Sequence, residues 1–154
     1  MGFDVWIASN DRSREYCNGK LGDRCLTKLP DSLQNSERAD SFALIDVLWF
    51  EAKGTSLVAA FEVEHTTSIY SGILRLYDLA LSEPANKSLR GLYLVAPDER
   101  EEDVRNQLSR PAFRAIGKLS ARYLPYNELD KHRESMTRFG EGLKAIEAIA
   151  RILI

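Results

Sequence analysis

The spacing of apolar residues changes along the chain, and each change marks an element. Phe3, Val5 and Ile7 alternate with Asp4, Trp6 and Ala8, the period of two that predicts a strand over Phe3–Ser9. Residues Asn10–Asp40 lose the alternation; they are polar and punctuated by Gly, Pro, Asn and Asp, and they read as a long connection holding one short helix. A connection that long with no element of its own is unusual and draws attention as a carrier of function. Two apolar runs, Ala43–Phe50 and Leu57–Glu64, then flank a Lys53-Gly54 turn and predict a hairpin. With side chains alternating between faces, Leu44, Asp46, Leu48 and Phe50 share one face, and Val58, Ala60, Glu62 and Glu64 share one face of the partner strand.

Beyond the hairpin the period lengthens. Ile69, Ile73, Leu76, Tyr77 and Ala80 recur at helical spacing and predict a helix over Ser68–Ser82, with Gly72 and Arg75 on or beside its less apolar side and Pro84 just past its end. Thr66, Thr67 and Ser68 are all good N-cap types. Gly91–Ala96 is unbroken apolar sequence, expected of a strand buried on both faces. Strand, helix, strand in this order implies a crossover and a parallel neighbour. Asp98, with Glu101 three residues on, predicts a capping box and a helix to about Leu108 that Arg110-Pro111 ends. Ala121–Pro125 reads as a short edge strand. A helical stretch follows from Tyr126, split at Gly140 and Gly142, and its last piece carries a stripe of Leu143, Ile146, Ile149, Ala150 and Leu153. Such a stripe packs on its own core more readily than on a partner subunit.

Composition narrows the picture. The 154 residues make one domain, long enough for a real core. No apolar run approaches the ~18–20 residues of a membrane span, and the N-terminus lacks the pattern of a signal peptide, so a cytoplasmic location is expected. Cys17 and Cys25 form no metal or redox motif and read as free thiols. The net charge of −2 argues against non-specific nucleic-acid binding but leaves room for a local basic patch. Arg12, Arg14, Lys20, Arg24 and Lys28 make the long connection either a solvated loop or a basic arm that meets phosphates. Arg110, Arg114, Lys118 and Arg122 pose the same choice.

The chemistry gathers on the hairpin. An acid within an apolar run is costly to bury unless it is paired or holds a metal. Glu62 and Glu64 stand about 7 Å apart along one strand; if the register brings Asp46 opposite them, three carboxylates converge. Such a set suits Mg²⁺, a hard cation that takes oxygen ligands, and a bound cation can activate water and neutralise charge developing on a phosphoryl group. A hairpin with one wet acidic face is the plainer reading. The apolar neighbours Ile45, Val47, Trp49 and Phe50, and the run AAFEVE, weigh against it. Around the acids, His65 alternates to the opposite face and reads as a capping or core residue ahead of a catalytic one, Thr66 and Ser68 either cap the helix or donate to a phosphate at its N-terminus, Arg75 is a surface charge or else pairs with the carboxylates or touches a phosphate, and Lys53 in the turn reads as solvated.

Asp46, then Glu62-Val63-Glu64 on the next strand, then a helix and a buried strand, resembles the PD-(D/E)XK nuclease superfamily with its restriction-endonuclease-like fold. The strings EVEHTTSIYSGILRLYDL, LYLVAPDEREEDV and SRPAF look like restriction-associated nuclease domains of that superfamily, and the resemblance runs from about Val5 to Leu129. It implies an α/β fold with a mixed central sheet, an antiparallel hairpin plus a parallel crossover strand, flanked by helices. It implies Asp46 and Glu62 as metal ligands, Asp46, Glu62 and Glu64 as the catalytic set, and Arg75, Thr66 and Ser68 on the substrate side. Glu64 stands where the superfamily has lysine, as in some of its restriction enzymes. A glutamate cannot act there as a cation; it serves as a general base, binds a second metal, or marks a domain that binds DNA and cuts poorly.

The superfamily often has an acid on a preceding helix. That helix is absent before Phe3, so residues 1–154 are expected to be a single nuclease domain cut from, or attached to, something longer. The implied function is a restriction-type, Mg²⁺-dependent endonuclease (Mn²⁺ as an alternative cation) hydrolysing DNA phosphodiester bonds. DNA is the implied partner, with a homodimer and other domains or subunits of a restriction-modification system beyond it. The alternatives are a non-cleaving DNA-binding or assembly module on the same fold, and a structural dimerisation domain whose acids are wet-face residues.

Overall fold

The computed structural model describes residues 1–53, 56–83, 85–115 and 119–154; Gly54 of the predicted turn, Pro84 and Lys118 lie outside the described residues. Five strands form one sheet in the order β1-β4-β5-β6-β7: β1 Phe3–Ile7, β4 Val47–Glu51, β5 Leu57–Val63, β6 Gly91–Ala96 and β7 Arg122–Pro125. β1, β4 and β5 pair antiparallel, whereas β5, β6 and β7 run parallel. The expected mixed α/β sheet flanked by helices is therefore present, and it is consistent with a restriction-endonuclease-like fold. Helix α3, Ile69–Leu81, makes the crossover from β5 to β6. Its stripe of Ile69, Ile73, Leu76 and Tyr77 packs on the sheet, so burial rather than intrinsic propensity holds it there. Every residue of β6 is buried, as its unbroken apolar run requires.

The hairpin differs from the simple alternation in one place. Its register shifts between Trp49 and Phe50, which pair with Ala59 and Leu57 and leave Val58 as the extra residue. The shift turns Val58 toward the second face, with Phe61, Tyr93 and Leu124, while Leu57 and Ala60 stay on the first with Leu48 and Phe50. Val58 thus does not share a face with Ala60, because one inserted residue inverts the parity of a strand. On the second face Phe3, Trp49, Phe61 and Tyr93 form a ladder of rings across four strands, with neighbouring centroids 5.0, 4.6 and 4.9 Å apart. Helices α7, Tyr126–Phe139, and α8, Lys144–Ile149, lie on this side.

Residues 10–40 are more organised than their polarity suggests. A two-stranded hairpin, β2 Glu15–Tyr16 and β3 Gly19–Lys20, is followed by α1, Asp31–Gln34, and α2, Ala39–Phe42. Its apolar anchors are few but buried, Leu29, Leu33 and Phe42 among them, and widely spaced anchors show no period. β4 also begins later than its apolar run. The backbone N–H groups of Ala43, Leu44 and Ile45 donate to the carbonyls of Ala39, Ser41 and Phe42, continuing the helical turn and leaving Leu44 exposed.

Asp98 does not form a capping box. A short 3₁₀ turn, Asp98–Arg100, leads into α5, Glu101–Leu108, and the Asp98 carboxylate accepts from the Asn127 backbone N–H at 3.0 Å. Glu101 instead pairs with Arg105 and Arg151. Short helices α4, Ala85–Ser88, and α6, Pro111–Arg114, complete the first face. Gly142, at φ +56°, supplies the left-handed residue that separates α7 from α8. The terminal stripe divides after Ala150: Leu143, Ile146, Ile149 and Ala150 pack on the second face, but Arg151 bridges to Tyr123 and Leu153 joins the first-face core. Cys17 and Cys25 are free thiols. No helix among the described residues is long and apolar enough to cross a membrane.

The packing of α3 yields a contrast within one helix. Ile73 is fully buried and Leu74 is 39% exposed. Ile73→Ala is expected to cost about 2–4 kcal/mol in urea unfolding and Leu74→Ala less than about 1 kcal/mol.

Candidate functional site: buried carboxylates around one arginine

The predicted acids gather where the antiparallel half of the sheet gives way to the parallel half. Asp46 is the residue before β4. The Ala8 N–H donates to its carbonyl at 3.0 Å, and its Oδ2 accepts from the Val63 N–H at 2.6 Å. The pairing of Val47 with Phe61 places Asp46 beside Glu62, the penultimate residue of β5. Glu64 lies one residue past β5, held by its own N–H donating to the Val95 carbonyl at 2.8 Å. Glu62 and Glu64 are 0% and 2% exposed, the two buried charged residues among those described. The three acids therefore come together, although Leu44 and Val58 do not line up with them.

What meets them is Arg75, two turns into α3. Its Nε and Nη2 donate to Glu62 Oε1 and Oε2 at 2.8 and 2.7 Å, a bidentate pair, and Nη2 lies 3.7 Å from Glu64 Oε1. Thr67 Oγ1 donates to Glu64 Oε2. Helix α3 approaches this closely because residue 72 is glycine: a Cβ there would collide with Glu64 Oε1, so Gly72 belongs to the buried side of the helix and not to its polar side.

Charge explains the protonation. Burial pushes Glu62 up to about 7, with the negative charges of Asp46 and Glu64 adding to it and the bond to Arg75 opposing it. Asp46 and Glu64 are also raised, first by burial, against the hydrogen bonds from Val63 and Thr67 respectively. Arg75 is raised by its bond to Glu62. Three carboxylates facing one guanidinium leave a negative excess, and in a poorly solvated place that excess favours a shared proton or a further cation.

The donor set is all oxygen, which fits a hard divalent ion. Both oxygens of Glu62 are engaged by Arg75, however, and Glu62 could join such an ion only by yielding one of those bonds. Among the described residues no group of three His, Cys, Asp or Glu side chains stands ready to hold a metal.

Asp46 and Glu64, but not the buried Glu62, open onto a cleft of about 830 Å³ that is lined also by Arg75, the His65–Ser68 stretch, Asn10, Asp11, Arg14 and Leu21. Ser68 caps α3, accepting from the Ser71 N–H at 3.4 Å, and Thr66 is exposed beside it. Lys53 lies at the far end of β4, its N–H donating to Asp4 Oδ2, so it cannot stand in for a lysine at the acids. Arg110 sits over the Tyr70 ring on the first face, whereas Arg122 is the strand partner of Tyr93, which belongs to the second, so those two cations form no strip.

Two neighbours escaped the sequence reading. Arg100 donates to the carbonyls of Glu64 and His65 at 2.9 and 3.2 Å, and Tyr126 stacks on His65 with centroids 5.8 Å apart. Arg100 sits in an acid-rich run that reads as a helix start, and Tyr126 is remote in sequence; neither carries a local signal.

Comparison with known proteins adds ancestry to this geometry. The chain is 30% identical over 138 residues to the Type II restriction enzyme NmeDI of Neisseria meningitidis serogroup C, a match that takes in 85% of this chain. The chain spans about 37% of that relative's length. No solved structure matches it. A family model, the C-terminal domain of Type II restriction enzyme NmeDI, matches residues 1–149, and the chain belongs to that family.

Proposed function

We propose that this domain is a metal-dependent endonuclease of the PD-(D/E)XK kind, with glutamate at the position usually held by lysine, acting on DNA within a restriction system. The observation that carries the reading is the convergence of Asp46, Glu62 and Glu64, with Asp46 and Glu64 lining an open cleft and Glu62 buried beside them, in a chain of this family. Asp46 and Glu62 would hold Mg²⁺, or Mn²⁺ in its place, which when bound supplies water activation and neutralises charge on the phosphate. Glu64, its proton affinity raised by burial, is suited to take the proton of the attacking water. Thr66, Ser68 and the N-terminus of α3 offer donors to a phosphate. Arg75 opposes the protonation that burial favours at Glu62, holds that carboxylate in place and carries positive charge to the cleft.

The relative's greater length leaves room for other domains or subunits of the system to choose the DNA sequence, and cutting both strands calls for two such sites, hence a homodimer. A second reading, a DNA-binding module that does not cut, draws on the bidentate grip of Arg75 on Glu62.

Asp46→Ala is expected to lower Mg²⁺-dependent nicking of plasmid DNA by at least about a hundredfold while leaving the circular dichroism spectrum unchanged. Wild-type protein that never nicks in Mg²⁺ or Mn²⁺ yet binds DNA would establish the second reading. If Arg75 occupies the cation's place, Arg75→Gln will bind Mn²⁺ about tenfold more tightly in calorimetry, at a thermal stability checked in parallel. An unchanged Kd would dismiss that competition.

The raised pKa of Glu62 also sets a pH dependence. Its folded value of about 7 lies above the ordinary 4.5 of the unfolded chain, so the folded state keeps a proton that the unfolded state releases between those values. Its contribution to stability is complete below pH 4.5 and is lost as pH rises through 7. Urea melts from pH 5 to 8 are expected to show the wild type losing about 1–3 kcal/mol relative to Glu62→Gln. Parallel curves for the two proteins would contradict it.

A further inference from the structure

The cleft is lined also by the stretch that the sequence leaves open between a solvated loop and a basic arm. Residues 10–28 carry five cations, Arg12, Arg14, Lys20, Arg24 and Lys28, against three acids, Asp11, Glu15 and Asp23, in a chain whose net charge is −2. The local balance is positive while the carboxylate side is negative. DNA has to bring phosphates next to buried acids, and positive charge beside the cleft offsets that repulsion.

This stretch is built, not loose. Arg12 stacks over Trp6 at 4.7 Å and donates to the Leu26 carbonyl at 2.6 Å. The Leu26 N–H donates to Val5 of β1, the Leu21 N–H to the Arg14 carbonyl and the Gly22 N–H to the Arg12 carbonyl. Asp23 Oδ2 accepts from the Lys20 N–H at 2.7 Å. At the tip, Cys17 and Asn18 take φ of +44° and +63°, which closes a tight two-residue hairpin turn. The base of the arm, through Asn10, Asp11, Arg14 and Leu21, lines the same cleft as Asp46 and Glu64. Beyond it the tip stands in solvent, with Tyr16 58% exposed, Lys20 exposed opposite Glu15, and Arg14 71% exposed beside Asp11.

The hairpin is exposed and hydrogen-bonded at its base; Glu15 and Lys20 offset one another within it, so the positive excess comes from Arg14 at its foot and from the wider stretch, beside an acidic cleft and with Tyr16 at the tip. We propose that the β2–β3 hairpin is an arm that grips duplex DNA next to the site of cleavage. Arg14 and Lys20 contact the phosphates, and Tyr16 packs against the sugar-phosphate edge of a groove. The inference rests on the nuclease reading for the placement of DNA in the cleft, but it concerns binding alone.

The test is fluorescence anisotropy of a labelled duplex of mixed sequence, titrated with the full chain without divalent metal over a range of salt. Arg14→Ala and Lys20→Ala are each expected to reduce the slope of log affinity against log salt by about one, and together to weaken binding about tenfold. Tyr16→Ala should weaken binding with the slope unchanged. Arg138→Ala, which removes an exposed cation on α7 paired with Glu134, is the control and should leave both quantities as they are. These positions are exposed, so folding is not at stake. A double variant with wild-type slope and affinity overturns the arm, as does a wild type that binds no duplex. Nicking by wild type with unaltered binding by the double variant rejects the arm and keeps the nuclease. Arm-dependent binding without nicking in Mg²⁺ or Mn²⁺ rejects the nuclease and keeps the arm.

Discussion

Glu62 is the carboxylate on which the site's geometry turns. It is fully shielded from solvent at the end of a strand whose other residues are apolar, and it is held by two hydrogen bonds from Arg75. A lone ionised carboxylate in such a position would cost several kcal/mol. The pairing with α3 makes the position tolerable, and by doing so it fixes how the helix sits on the sheet. Gly72, one turn before Arg75, allows the approach; Glu64 and Thr67 close it from the other side. The hydrophobic stripe of α3 presses the helix onto the sheet, but the ion pair sets where along the sheet it rests.

The same constraint shapes the chemistry. Asp46 is fixed by a backbone bond on each side of the sheet, from Ala8 and from Val63, so it cannot retreat from Glu62. The cluster therefore carries more negative charge than Arg75 balances, and it sits at the wall of a cleft broad enough for a ligand. Two responses relieve that excess, a retained proton or an added cation, and both act at the same oxygens. Arg75 thus has a double character. It stabilises the acids in the folded protein, and it competes with anything cationic that would bind them.

Around this centre the fold divides its labour. The parallel half of the sheet, β5, β6 and β7, is buried and supplies rigidity. The antiparallel edge carries the connection whose polar residues also line the cleft. Arg12, stacked on Trp6, ties that connection to β1, and β1 through Ala8 is tied to Asp46. The connection and the acids are therefore linked through a short path of hydrogen bonds and ring contact.

The sequence by itself determined the sheet's inner strands, the crossover helix with a choice of three caps from which the structure takes Ser68, and the three acids. Each of these rests on a short-range period or on residue type, and such signals survive without knowledge of neighbours. The family resemblance drawn from the strings around Glu62 agrees with membership in a restriction-enzyme family at the coarser level. Only the tertiary structure decided the rest. The register shift that turns Val58 away is a single inserted residue, invisible to a pattern of uniformly apolar positions. Gly72 reads as polar-side until Glu64 is placed against it. Asp98 has the spacing of a cap, yet its carboxylate serves Asn127, 29 residues away. Leu153 continues a helical stripe in sequence but crosses to the other core, because Arg151 bridges to Tyr123 and ends the helix first. In each case the deciding partner is distant along the chain, and a local pattern carries no record of a partner it does not touch.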